Sequence, residues 1–129
     1  TSYNELSREA RECERWNMLN PGKKVRVSYV EQLLNGIEGP VVSASDYVRN
    51  VADQIRNFVP MTYTVLGTDG FGRSDTRKQL RKHFEVNSNY VTLAALKTLS
   101  DEVTVPATKV KDAIKKYGID VNKPNPLHA

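Results

Sequence analysis

One cysteine and two histidines are all that this sequence offers to thiol or imidazole chemistry. A lone thiol, Cys13, cannot close an internal disulfide, which suits a reducing, cytoplasmic setting. His83 lies in a basic run beside Arg81 and Lys82, and His128 is the penultimate residue. No cluster of histidine and cysteine of the kind that holds a metal is present, so both histidines are expected to be solvated or packing residues. Glu12 and Glu14 flank Cys13 and oppose its ionisation, so it is expected to be buried and inert rather than nucleophilic. Apolar runs are short, and none approaches the roughly 20 residues that span a bilayer. The first residues carry no basic start and no apolar stretch, so no secretory signal is expected there.

What is present is ordinary for a globular chain. The 129 residues are 39% hydrophobic and 26% charged, which argues against disorder. This length is that of one domain with a real core. The net charge of +4 is a modest excess. It is concentrated in two stripes, one of Arg73, Arg77, Lys78, Arg81 and Lys82, the other of Lys109, Lys111, Lys115 and Lys116. Neither stripe interleaves aromatics or carries a reading motif, so both are expected to be solvated faces with no nucleic-acid partner.

Periodicity and punctuation divide the chain into helices and two short strands. A helix is expected over residues 3–19, capped by Ser2, with Leu6, Ala10 and Cys13 on its apolar face. Ser28 and Glu31 form a capping-box pattern before a short helix, and Gly36 and Gly39 follow it. Residues 41–44 and 63–66 read as strands, apolar on both faces as in a covered parallel sheet. Between them a helix is expected over 47–59, capped by Asp46 and stopped by Pro60. Later helices are expected from Ser74 or Asp75 to about His83, from Ser88 to Leu99 after Asn87, and from Pro106 to Gly118. Residues 122–126 are expected to be extended. Helix and strand alternate, which implies a parallel sheet, yet two strands are too few for a stable one.

The most unusual segment is Gly67-Thr68-Asp69-Gly70-Phe71-Gly72-Arg73-Ser74-Asp75. It follows a strand and opens a helix, where backbone N–H groups can meet an anion, and Arg73 and Arg77 would assist. It lacks the G-K-[ST] ending of a phosphate loop and one glycine of the dinucleotide fingerprint. The favoured reading is a structural turn or interface made by Asp69, Gly70, Phe71, Gly72, Arg73, Ser74 and Asp75. In that reading Phe71 packs inward and the glycines supply positive φ.

Three blocks now converge on a family. They are Glu14-Arg15-Trp16-Asn17, the run from Val65 and Leu66 through the glycine turn, and Leu80-Arg81-Lys82-His83-Phe84-Glu85-Val86. Tyr90-Val91 and Ala94-Ala95-Leu96 follow in order. Together they resemble the C-terminal end of the homodimeric bacterial pyruvate dehydrogenase components. Phe71-Gly72 with Ser74, and a helix ending in Phe84, is similar more distantly to transketolase C-terminal domains in general.

The resemblance implies a truncated transketolase C-terminal-like α/β domain, a short parallel sheet covered by helices. Residues 1–129 would be one partial domain whose first strand, helix and strand precede Thr1. It also implies a parent enzyme using thiamine diphosphate and magnesium to decarboxylate pyruvate oxidatively. Such a parent pairs with a second copy of itself and acetylates the lipoyl group of dihydrolipoyl acetyltransferase. The family's cofactor motif is not matched here. Asp69-Gly70 with Asn87 and Asn89 has the wrong lead-in and spacing, so no catalytic, cofactor or metal residue is assigned. This chain is expected to be structural and inactive alone, a part of dimer assembly. As an isolated piece it is expected to self-associate through uncovered strand edges and the Leu6, Ala10 and Cys13 face. Two alternatives stand beside this reading. They are a C-terminal domain of another thiamine enzyme, such as transketolase, and a freestanding basic binding module.

Overall fold

The computed structural model describes residues 2–129. Six helices, α1 (Tyr3–Leu19), α2 (Tyr29–Leu34), α3 (Arg49–Asp53), α4 (Arg77–His83), α5 (Ser88–Asp101) and α6 (Ala107–Lys116), surround two strands, β1 (Val41–Ala44) and β2 (Tyr63–Leu66). The strands pair in parallel with Val41 opposite Tyr63 and Ala44 opposite Leu66. This is an α/β architecture, and both strands fall where the β-branched runs place them. None of the described helices is long and apolar enough to cross a membrane.

Local signals explain most of the helix starts. The Ser2 hydroxyl accepts from the Glu5 amide, and Asn87 accepts from Tyr90. At α2, Ser28 and Glu31 close both halves of a capping box, satisfying two orphan N–H groups. The sheet sits between two layers. On one face Tyr63 and Val65 join Ala10, Val30, Ala52, Ile55 and Phe58 in the core, and Tyr3 of α1 hydrogen-bonds the Ser43 hydroxyl. On the other face Thr64 reaches Thr98 of α5 at 3.2 Å.

Several expectations need correction. The strands are not buried on both faces. Only Ser43 of β1 is fully buried, and β2 alternates buried with half-buried residues. Of the α1 face, Ala10 is covered at 0% exposure while Leu6 and Cys13 stay half-buried. The helix expected over 47–59 shrinks to α3 and a 3₁₀ turn, Arg56–Phe58. The reason is that residues 45–47 continue the pairing of β1. The Ser45 amide donates to the Leu66 carbonyl, while Thr68 donates from its amide to the Tyr47 carbonyl and from its hydroxyl to the Asp46 carbonyl. Asp46 therefore caps nothing. The 122–126 tail is not extended but turned, with Lys123 N–H on the Asp120 carbonyl and Leu127 N–H on the Asn125 side chain.

Three helices end in the same way. In each, the two residues beyond the cap donate back to carbonyls of the last turn, and the first of them is left-handed. That residue is Gly118 after α6 (φ +60°), Glu85 after α4 (φ 63°) and Val103 after α5 (φ 61°). Glycine adopts this conformation without strain, whereas a β-branched residue does not. Val103 is also 90% exposed, so no packing contact offsets its strain.

Candidate functional site

The glycine-rich segment begins where β2 ends, and its first half is held tightly. Gly67 is buried, and a Cβ there would stand 2.7 Å from the Tyr47 carbonyl oxygen and 2.8 Å from the Arg49 nitrogen. The Asp69 carboxylate accepts from the Arg49 amide at 3.0 Å and pairs with its guanidinium at 3.5 Å. Gly70 has φ +110°, and a Cβ would meet the Pro126 carbonyl oxygen at 2.1 Å. The buried Pro126 thus brings the tail onto the turn. Lys123 fixes the same tail to the end of α4, donating to the His83 carbonyl at 2.7 Å and pairing with Glu85 at 3.2 Å.

The second half of the segment is open. Phe71 is 76% exposed. It does not pack inward, contrary to expectation, because the inner side of the turn is already occupied by Arg49 and by the tail. A Cβ at Gly72 would meet nothing within 4 Å, and its φ is not positive. Of the three glycines only Gly70 supplies the expected positive φ. The Asp75 carboxylate accepts from the Thr76 amide at 2.7 Å. Thr76, not Ser74 or Asp75, caps α4 by accepting from Gln79. Ser74 is exposed and makes no side-chain bond among the described residues.

A cavity of about 550 Å³ opens beside this half. Arg73, Arg77 and Arg81 line it together with Asp46 and Asp75, over an apolar floor of Leu80, Phe84 and Val86. Arg81 lies 3.4 Å from the Asp46 carboxylate. Arg73 faces not a carboxylate but the His83 ring, at 3.0 Å. The His83 pKa is lowered by burial first and then by the neighbouring charges of Arg73 and Lys123. Reading the sequence missed Asp46, Leu80, Phe84 and Val86 as members of this cavity. The available signal was the rule that crevices in parallel sheets form outside the carboxyl ends of the strands.

The residues that imitate the family's cofactor motif do not fit a magnesium ion. The Asp69 carboxylate is committed to Arg49, and the Asn87 oxygen is committed to the Tyr90 amide. No group of three or more histidine, cysteine, aspartate or glutamate side chains converges among the described residues. Cys13 lies elsewhere, half-buried on α1, its thiol 3.1 Å from a Glu9 oxygen. Burial and that hydrogen bond push its pKa up to about 11, so the raising carboxylates are Glu9, one helical turn back, and after it Glu31, rather than Glu12 or Glu14.

Comparison with known proteins adds the lineage. The family described as the transketolase-like TK C-terminal domain matches residues 1–87, about two thirds of the chain. The pyruvate dehydrogenase E1 component of Cupriavidus necator is 56% identical over 98% of this chain. Those of Pseudomonas aeruginosa and Escherichia coli are 54% and 49% identical over 98%. The chain spans 14% of the length of each of these relatives. The fold, the two-strand parallel pairing and the matched residues agree, and the chain belongs to the transketolase-like C-terminal domain family.

Proposed function

We propose that these 129 residues are the C-terminal part of a pyruvate dehydrogenase component, one partial domain in which no catalytic group resides. The parent enzyme would decarboxylate pyruvate oxidatively with thiamine diphosphate and magnesium bound elsewhere. It would then acetylate the lipoyl group carried by dihydrolipoyl acetyltransferase, in the cytoplasm. The observation that carries this reading is an identity of 49–56% to proteins of that name across 98% of the chain. The shared name favours this parent over transketolase itself.

Within that parent the segment serves dimer assembly. Among the described residues each strand has only one partner, so each leaves one edge free. Tyr29, Leu33 and Tyr47 are exposed large side chains that line one shallow depression of the surface. Free edges and exposed apolar side chains both favour association with further protein.

Deleting this segment from the longer protein and measuring sedimentation and pyruvate decarboxylation together tests the assignment. Loss of the dimer along with activity is the expected result. A dimer of unchanged stability without the segment removes the assembly role. The chain alone is expected neither to decarboxylate pyruvate nor to bind thiamine diphosphate with magnesium in calorimetry, and micromolar binding would overturn that.

A further inference from the structure

The cavity beside the glycine turn has a composition that the assembly role does not use, and the inference drawn from it does not rest on that role. It lies at the carboxyl ends of both parallel strands. Asp46 stands just beyond β1 and Thr68 just beyond β2, and both line it. Crevices at this end of a parallel sheet are where ligands are bound, since strand ends present several loops to one space. Its volume of about 550 Å³ falls within the range of small-molecule sites, roughly 300–1,000 Å³.

The charges around it are unevenly satisfied. Arg81 has Asp46, and Asp75 is turned onto the backbone of Thr76. Arg77 has no ion pair among the described residues, and Arg73 has only a ring nitrogen of His83, at 3.0 Å. Two guanidiniums therefore border the space without a carboxylate of their own. Guanidinium presents a planar fork of donors that matches a carboxylate or phosphate two bonds at a time. Below them Leu80, Phe84 and Val86 provide an apolar floor, of which Phe84 and Val86 are buried. Gly72 also borders the space, and nothing in the chain itself would obstruct a side chain there. Its bare backbone leaves room at the cationic rim.

We propose that this cavity binds a small amphipathic oxyanion, a phosphate or carboxylate held by Arg73 and Arg77 with its apolar body on Leu80, Phe84 and Val86. Inorganic phosphate alone would engage only the rim. An uncharged ring would engage only the floor. A ligand carrying both should bind better than either.

Phenyl phosphate, benzoate, inorganic phosphate and benzyl alcohol, titrated separately into the isotopically labelled chain, provide the test. Saturable shifts in nuclear magnetic resonance are expected at the amides of residues 68–74 and at the arginine side chains of 73 and 77. Whichever of phenyl phosphate and benzoate binds more tightly identifies the oxyanion. It should exceed inorganic phosphate and benzyl alcohol by about tenfold, the worth of one further good contact. Arg73→Gln and Arg77→Gln should each weaken it by about tenfold, as loss of a charge-assisted bond does. Lys109→Gln should leave it unchanged. Because a turn variant could fail to fold, the unaltered chain is also titrated across a salt series. Phenyl phosphate should weaken as salt rises and benzyl alcohol should not. Equal binding of all four probes, shifts spread over the lysines of α6, or arginine variants that fold and bind as tightly as the parent would each overturn the proposal.

Discussion

The two halves of the glycine-rich turn share one stretch of sequence and differ in every physical respect. Gly67, Asp69 and Gly70 are locked against Tyr47, Arg49 and Pro126. Phe71, Gly72, Arg73 and Arg77 face outward beside a cavity. A motif read as a unit is therefore two devices joined end to end. The first half ties β2 to the loop after β1 and to the tail. The second, freed of that duty, presents an exposed Phe71 and an Arg73 that meets only the His83 ring.

The sharpest test of the locked half is Gly70→Ala. It would place a Cβ 2.1 Å from a backbone oxygen at a φ of +110°. Strain and overpacking together should cost about 2–6 kcal/mol, read from denaturant unfolding. Gly72→Ala should stay within about 0.5 kcal/mol, and equal losses at both positions would erase the distinction.

A pair of phenylalanines separates core from open turn. Phe58 is 5% exposed and its truncation to alanine should cost about 3–5 kcal/mol. Phe71→Ala, at 76% exposure, should change the melting temperature little, within about 0.5 kcal/mol. The inward-packing reading of the sequence demanded the larger value at Phe71.

Val103→Gly should act in the opposite direction. The left-handed conformation costs a side-chain-bearing residue about 1–2 kcal/mol, so relieving it should stabilise the chain by about 1 kcal/mol. Glycine at Gly118 already occupies the equivalent place after α6. No change in stability would mean that Val103 shares the ease of Gly118.

The smallest expected effect concerns pH. The Cys13 pKa is raised to about 11 in the folded chain. A raised pKa means that the folded state holds the thiol proton more tightly than the unfolded state. The corresponding stabilisation is full below the ordinary thiol pKa and fades as pH climbs toward about 11. Alkylation of the folded chain at pH 8 should accordingly be slower than in denaturant, and Glu9→Gln should speed it. Equal rates in folded and unfolded chains would show the thiol to be unshifted.

The parts of the fold that were legible in the sequence are those governed by neighbours in the chain. Val41–Ala44 and Tyr63–Leu66 are short β-rich runs between breakers, and Ser2, Ser28 and Asn87 cap the helices they precede. What escaped depends on distant partners. The shortening of α3 follows from Thr68 capturing the carbonyls of Asp46 and Tyr47. The outward turn of Phe71 follows from Pro126, far along the chain, filling the inner side. The cap of α4 fell one residue late because Asp75 spends its oxygen on the next amide. Of the candidate site, residues 69–75 were anticipated as a group, but their division into a clamped part and an open part rests on contacts that periodicity does not encode.

The clamp formed by Lys123 and Pro126 has a consequence for biosynthesis. Chains grow from the N-terminus and begin folding in that order. The strands and the glycine segment are therefore synthesised well before the residues that seal them. While α5 and α6 are still being made, Gly70 has no carbonyl against it and the end of α4 has no lysine. The nascent chain passes through an interval in which Gly70 and the end of α4 are more accessible than they will be once Pro126 and Lys123 arrive. Ribosome-associated chaperones would meet this segment in that unsealed form, and a stalled ribosome would display it longest.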